Sequence, residues 1–334
     1  MTRDTLEALI TGKHLSYDEA DALMRQILES EDAVKVTATL MALRAKGCTG
    51  EELAGFARVL RSQVVSVTNV PAGSVDTCGT GGGRSTFNVS TASAIVAAAA
   101  GVPITKHGNR AVTSACGSAD VLEALGIPLN LTPEQQSTRL QSHGIAFLFA
   151  PAHHPGMAKV GPIRRALGIR TVFNQLGPLA NPAGCKRQVI GVYDSSFLKP
   201  MAEALRLLGA ERALVVHGQE GLDEVSPSGP TSVARLEDGV VHEENITPSA
   251  LGLEPLPADA LSAGESPQEN GTILLEALSS PDSLRALAIL PSAGAAIWLG
   301  DRADTWKEGV EVARDTIASG KAKAKLEALV GESS

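Results

Sequence analysis

Aromatic side chains are few in this chain, with two Trp, two Tyr and six Phe among 334 residues. The hydrophobic share is nevertheless 43% and the charged share 20%, so neither a disordered nor a fibrous class fits, and a full core can be buried. Cysteines are scarce and scattered (Cys48, Cys78, Cys116, Cys185), with no CxxC pair. That excludes a zinc or disulfide framework and reads as free thiols of a reduced compartment. Long apolar runs are absent too. The longest, Ala92 to Ile104, contains Ser93, Gly101 and Pro103 and is too short to cross a bilayer. Arg3, Asp4 and Glu7 make the first ten residues unlike a secretory leader, and a cytoplasmic protein without membrane attachment is the default expectation. There is no excess of basic charge. The net charge of −8 argues against a general nucleic-acid binder, because phosphate backbones are held by Lys and Arg.

The charge that is present is unevenly spread. Between Thr77 and Tyr193 ten Lys/Arg face only Asp120, Glu123 and Glu134, a local surplus of seven positive charges. Surface scatter is one reading, and a region that handles an anion is the other. The length allows two domains, or one large α/β domain with an appendage. The first sixty-odd residues read as helical. Ser16–Glu19 and Thr49–Glu52 are capping boxes, each leading into apolar residues at helical spacing, and Val34 to Ala45 forms a helix that ends at Gly47. Such a face packs on the rest of the chain or on another copy.

From about Val70 short apolar runs alternate with Gly-rich turns and helical stretches. Ile145 to Phe149, Val189 to Tyr193 and Ala213 to Val216 are strand candidates. Ala92 to Ala100, Ala119 to Leu125 and Leu198 to Leu208 are helix candidates. Alternation of this kind predicts an α/β fold with a mostly parallel central sheet. Leu256 to Pro267 reads as a loop, and Gly331 to Ser334 as a frayed end.

Four blocks carry chemistry. In the first, Asp76 to Thr91, glycines at 79 and 81–83 let backbone N–H groups approach an anion, and Ser90 and Thr91 begin a helix of small residues. A phosphate or pyrophosphate suits it; a tight turn with an N-cap is the plainer alternative. No Gly-Lys-Ser/Thr follows the glycines, and Arg84 stands where a GxGxxG needs its last glycine. A P-loop and a dinucleotide fingerprint are thereby excluded. The second block, Lys106 to Ser114 with Gly117 to Asp120, gathers two cations, an imidazole, an amide and hydroxyls, a set for a second anionic group and sugar hydroxyls. The third holds His153-His154, Arg164-Arg165 and Arg170. Paired histidines raise a metal, but no carboxylate stands near them and the prolines favour a loop. Arg164 reads better as a fork for a planar carboxylate. In the fourth, Asp223-Glu224 follow a strand in a Gly-rich loop, either as surface acids or as hard ligands for Mg2+ beside phosphates.

Together, in this order, GTGG…TFNVSTASA, KHGNRAVTSACGSADVLEALG, RTVFNQLGPLANPA and VHGQEGLDEVSP resemble the anthranilate phosphoribosyltransferases, over a stretch from the N-terminal helices to about residue 320. The resemblance implies a small α-helical domain, residues 1–66 with helices near 160–180, that forms a homodimer, and an α/β catalytic domain over 70–330. The active site would lie at the hinge between them. It further implies that phosphoribosyl pyrophosphate meets Gly79, Gly82, Gly83, Thr86, Asn88, Val89, Ser90, Thr91, Lys106, His107, Gly108, Asn109, Arg110, Ala111, Val112, Thr113, Ser114 and Ser118. Anthranilate would meet Gly79, Asn109 and Arg164, with His107 and His154 lining its path. Mg2+ would sit at Ser90, Asp223 and Glu224, and Lys106, Asn109 and Arg164 would act in the reaction. Two departures stand out: Gly83-Arg84-Ser85 replaces the family's usual Asp-Gly and is one residue shorter, and Pro291-Ser292 stands where an Asn is common. The expected chemistry is displacement at C1 of the ribose by the aryl amine, with loss of pyrophosphate. The rival readings are a nucleoside phosphorylase of the same fold and a non-enzymatic nucleic-acid-binding relative.

Overall fold

The computed structural model describes residues 1–111 and 116–331; Val112, Thr113 and Ser114 of the second block, and residues 332–334, lie outside the described residues. Four helices open the chain: α1 (Arg3–Ile10), α2 (Tyr17–Glu29), α3 (Ala33–Lys46) and α4 (Gly50–Ser62). Each starts where a side-chain oxygen, of Thr2, Ser16, Asp32 and Thr49, accepts a backbone N–H three residues on. Both expected capping boxes form, with Glu19 and Glu52 reaching back to the cap. Gly47 ends α3 at φ +78°.

The α/β part runs β1 (Val75–Asp76), α5 (Val89–Ala99), β2 (Ile104–Gly108), α6 (Ser118–Ala124), α7 (Pro133–His143), β3 (Ile145–Phe149), α8 (Ala150–His153), α9 (Val160–Leu167), α10 (Phe173–Leu179), β4 (Arg187–Gly191), α11 (Leu198–Leu207) and β5 (Arg212–Gly218). It finishes with β6 (Thr231–Glu237), β7 (Val240–Ile246), α12 (Pro267–Ser279), α13 (Leu284–Leu299), α14 (Trp306–Ala318) and α15 (Lys321–Gly331). The strands form one sheet in the order β3-β2-β1-β4-β5-β6-β7. The first five are parallel, and β6 and β7 add an antiparallel edge. The strand expected at Val189 to Tyr193 lies two residues earlier. Its register is set by Arg187 opposite Arg212, and only the Val192 N–H, bonded to the Val216 carbonyl, continues the ladder.

Period-two alternation divides the core between the two faces of the sheet. Leu214 and Val216 join α5 and α12–α15 on one face. Ala213 and Val215 join α1–α4 and α9–α11 on the other. The opening helices therefore pack on the rest of the chain through a continuous apolar core. Arg61 of α4 fastens the seam, donating to the carbonyls of Leu179 (2.6 Å) and Leu208 (3.3 Å). No described helix is long and apolar enough to cross a membrane.

The chain order matters for the site. From β1 the chain winds outward through β2 and β3, then returns to the other side of β1 for β4 and β5. A crevice opens at such a reversal, at the carboxyl ends of β1 and β4.

Candidate active site

The glycine loop leaves β1 and crosses that crevice. Thr80 N–H donates to the Gly191 carbonyl at the end of β4 (2.8 Å), and Arg84 N–H donates to the Gly221 carbonyl beyond β5 (2.8 Å). The loop thus lies directly on the acid loop. Gly83 shows how tightly: a Cβ there would collide with the backbone N and carboxylate of Asp223. The loop as it lies has no room for a side chain at residue 83. Beyond the loop, α5 begins at Val89 with no side-chain cap, and the buried Asn88 Oδ1 and Thr91 Oγ1 have no partner among the described residues. Orphaned polar atoms at a helix N-terminus are groups that an anionic ligand with hydroxyls would satisfy.

Lys106 projects from β2 into the same place. Its ammonium donates to the Thr77 carbonyl (3.1 Å), Thr77 Oγ1 (3.3 Å) and Ser90 Oγ (3.2 Å), using all three donors, and it is 2% exposed. It has no ion pair among the described residues. Asp76, one strand over, is fully buried, and burial raises its carboxyl to about 6 against the opposing pull of Lys106. Its oxygens accept from the His107 N–H (3.1 Å) and Asn181 Nδ2 (2.7 Å), and Asn181 also donates to the Thr105 carbonyl (2.8 Å). This brace fixes the strand ends that carry Lys106 and His107.

Asp223 and Glu224 are not surface acids. Burial, then repulsion by Asp223, pushes Glu224 up to about 8, although Lys106 and the Ser90 N–H favour its charged form. Asp223 is raised as well, chiefly by burial. A cation between them would relieve both costs. Two carboxylates and the Ser90 hydroxyl fall short of an all-protein cage, and no cluster of three or more acidic, His or Cys ligands occurs among the described residues. That donor set fits Mg2+, which keeps waters and shares substrate phosphates.

The opposite wall joins His107, which alternation along β2 turns to the other face of the sheet from Lys106, to the helical segments α8–α10. His107 Nδ1 lies 3.1 Å from the Gly177 carbonyl, which can only accept, so Nδ1 carries the proton. His107 Nε2 then accepts from His154 Nε2, 3.3 Å away. Burial first, and mutual repulsion second, lower His107 to about 3; burial and the neighbouring His153 lower His154 to about 4. Both rings are neutral near pH 7. His153 turns away, with Nδ1 against the Val65 carbonyl (2.6 Å). Arg164 on α9 rests 5.2 Å from the centroid of the Phe173 ring. Burial lowers its pKa, and it has no ion pair among the described residues.

The remaining expected residues vary in setting. Gly79 packs on Gly191, and Thr86 bridges to Ser262. Ser118 Oγ (3.3 Å) and Ala119 N–H (3.2 Å) donate to the Asn109 carbonyl, so these residues hold one another close beside Gly108. Ala111 N–H donates to Asp120 (2.9 Å). Arg110 is half-exposed and already matched by Glu123 (2.7 Å) and Asp120 (3.3 Å) of α6. Residues not singled out for the site from sequence include Asp76, Thr77, Asn181 and Arg170. The first two open the glycine motif, Arg170 stands in the third block and Asn181 lies in the RTVFNQLGPLANPA stretch, so their positions, though not their contacts, were in view.

With this geometry in hand, comparison with known proteins is direct. Residues 72–323 match the model described as glycosyl transferase family, a/b domain, and residues 3–64 the model described as glycosyl transferase family, helical bundle domain. The fold is thus that of a two-domain glycosyl transferase. The anthranilate phosphoribosyltransferase of Rubrobacter xylanophilus is 48% identical over 334 residues, covering 99% of this chain and 97% of that one. The crystal structure of the Thermus thermophilus enzyme of the same name superposes with a TM-score of 0.90 at 41% identity, covering 98% of each chain. Structures of the Saccharomyces cerevisiae enzyme, one in complex with PRPP and Mg and one with 4-fluoroanthranilate, give TM-scores of 0.85 and 0.84 at 30% identity, over 99% of this chain and 98% of theirs. This chain belongs to the anthranilate phosphoribosyltransferase family.

Proposed function

We propose that the chain transfers the phosphoribosyl group of phosphoribosyl pyrophosphate to the amine of anthranilate, with Mg2+ and with release of pyrophosphate. The observation that carries this is one crevice with two unlike walls. One wall holds an uncapped helix start, a fixed ammonium and a half-buried acid pair; the other holds neutral imidazoles and a partly buried arginine without an ion-pair partner among the described residues. The first suits a polyphosphate, the second a planar amine with a carboxylate.

In this reading the glycine loop (Gly79, Gly82, Gly83), Thr86, Asn88 to Thr91, Lys106 to Ser114 and Ser118 bind the phosphoribosyl donor. Asp223, Glu224 and Ser90 hold Mg2+, which when bound offsets charge on the pyrophosphate leaving group. Lys106, already locked by three acceptors, meets developing negative charge without reorganising. Arg164 takes the anthranilate carboxylate and so aims the amine at C1, with Asn109 beside it. An aryl amine is a nucleophile without prior deprotonation. The neutral His107 and His154 line its path and leave its lone pair free. C1 forms a bond to nitrogen, the C1–oxygen bond breaks with its electrons going to pyrophosphate, and the ammonium product sheds its extra proton to solvent.

The same reading takes residues 1–66, with the helices near 160–180, as a unit distinct from 70–330 and as the contact for a homodimer. Ile10 and Val34, 69% and 79% exposed, are apolar side chains left uncovered on it. A reduced, cytoplasmic setting agrees with four free thiols. Neither the phosphorylase nor the nucleic-acid reading gains an observation in its favour. The test is a turnover assay with purified protein, anthranilate, phosphoribosyl pyrophosphate and Mg2+, following loss of anthranilate fluorescence. Turnover that depends on all three is the expected result, and no turnover rejects the assignment. Sedimentation tests the dimer: Val34→Glu is expected to shift the native protein to monomer.

A further inference from the structure

We propose that Arg170 is a positioning residue: it straps the glycine loop down over the acid pair and ties that loop to the opening helices. The Arg170 side chain leaves the segment between α9 and α10, and its Nη2 donates to the Gly82 carbonyl at 2.5 Å, 88 residues away in sequence. Its guanidinium lies 4.1 Å from the centroid of the Tyr193 ring just after β4, and Phe197 backs that ring edge-on at 5.1 Å. A guanidinium stacked on a braced ring and bonded through one edge has little freedom left.

The loop is shaped to receive it. Gly82 has φ +93°, and a Cβ there would stand 2.5 Å from the Arg170 Cζ, so only glycine permits this approach. The other flank of the loop is pinned by the Arg84 N–H on the Gly221 carbonyl and by the contact of Gly83 with Asp223. Between the Thr80 and Gly83 contacts, Arg170 is the side chain that holds Gly82.

The anchor at the far end is Arg44 of α3, whose Nη1 donates to the carbonyl of Arg170 itself. A continuous line thus runs from α3 through Arg170 to Gly82. The acceptor at Gly82 is a neutral carbonyl, and Arg170 has no ion pair among the described residues. Its full positive charge therefore stays beside Asp223, where it also favours that group's charged form. The inference rests on the reading of the glycine loop as the pyrophosphate cradle, but the strap itself can be examined without any substrate.

The first measurement is amide hydrogen exchange of the unliganded protein. In Arg170→Ala, amides of residues 80–86 should exchange at least about tenfold faster, the equivalent of losing one charge-assisted hydrogen bond, with the core strands unchanged. Arg44→Ala should move the same amides in the same direction by less. Tyr193→Phe, which keeps the ring, should move them by less than about twofold. Unchanged exchange at 80–86 in Arg170→Ala overturns the proposal. So does acceleration spread evenly over the molecule, which would make Arg170 merely structural.

The second measurement is kinetic. Arg170→Ala should raise the KM for phosphoribosyl pyrophosphate about tenfold or more while the anthranilate KM moves less than about threefold. Arg170→Lys should recover part of the loss, and added guanidinium should restore some activity to Arg170→Ala. Equal shifts of both KM values, or no shift in either, overturn it. If the unmodified protein shows no turnover, the transferase reading fails, and hydrogen exchange still decides the strap.

Discussion

The two walls of the crevice are built by opposite rules. On the sheet side, ionisable groups are buried or half-buried and braced: Lys106 by Thr77 and Ser90, Asp76 by Asn181 and the His107 N–H, Glu224 by the Ser90 N–H. On the other side, where His107 of β2 faces the helices, the imidazoles are held neutral, and Arg164 is left without an ion pair among the described residues. A wall that must meet charge appearing during a reaction gains from groups fixed beforehand. A wall that must seize a substrate of fixed charge gains from one unanswered partner. The contrast predicts that damage to the first wall appears mainly in turnover, and damage to the second mainly in acceptor affinity.

The largest effect should follow from disarming the acid pair. Asp223→Asn with Glu224→Gln should lower Mg2+-dependent turnover about a thousandfold, with weaker Mn2+ binding by electron paramagnetic resonance. Activity near that of the unmodified protein would return both residues to the status of ordinary acids. Next, Lys106→Met should lower kcat about 100-fold, the usual cost of removing one preorganised electrostatic group, with the anthranilate KM within about threefold. A change confined to the anthranilate KM would erase the distinction between the walls. On the helical side, Arg164→Ala should raise the anthranilate KM about 10- to 100-fold and leave the donor KM nearly alone. Equal small effects on both substrates would remove it from the acceptor pocket.

The smallest effect concerns stability rather than rate. His107 in the fold titrates near 3, below its ordinary 6.5, so on acidification the unfolded chain takes up a proton that the native state refuses. Its contribution is whole above pH 6.5 and is lost as pH falls toward 3, at up to about 1.4 kcal/mol per pH unit. His107→Asn should flatten the acid limb of urea-unfolding midpoints by that slope. Asp76, raised to about 6, acts with the opposite sign: its native state binds the extra proton between pH 6 and its ordinary 3.8, so stability from this group falls as pH rises through that window. An unaltered slope in His107→Asn would mean that its ring is solvated and not part of a dry wall.

What the sequence disclosed is what is local in it. Capping boxes at Ser16 and Thr49, the glycines at 79 and 81–83, and the hydroxyls that open α5 each declare themselves within a few residues, because helix ends and tight turns are short-range devices. Strand β2 did not declare itself, since Lys106 and His107 interrupt its apolar run for the sake of the site. Nor did Arg170 or Asn181, whose partners lie 88 and 105 residues away. The same distance explains Asp223-Glu224, a pair that resembles surface acids until the glycine loop is folded over it.

The core shared by α1–α4, α9–α11 and one face of the sheet has a mechanical meaning. A cleft flanked by segments with separate interiors can open like a book on a bare linker. Here Arg61 and the apolar side chains around α4 and α11 join the flanks in one packed interior, a geometry suited to sliding of helices rather than to swinging on a linker. The opening helices are accordingly a poor candidate for an exchangeable module. Cut away as residues 1–66, they would carry an exposed apolar seam, and the sheet left behind would carry its complement.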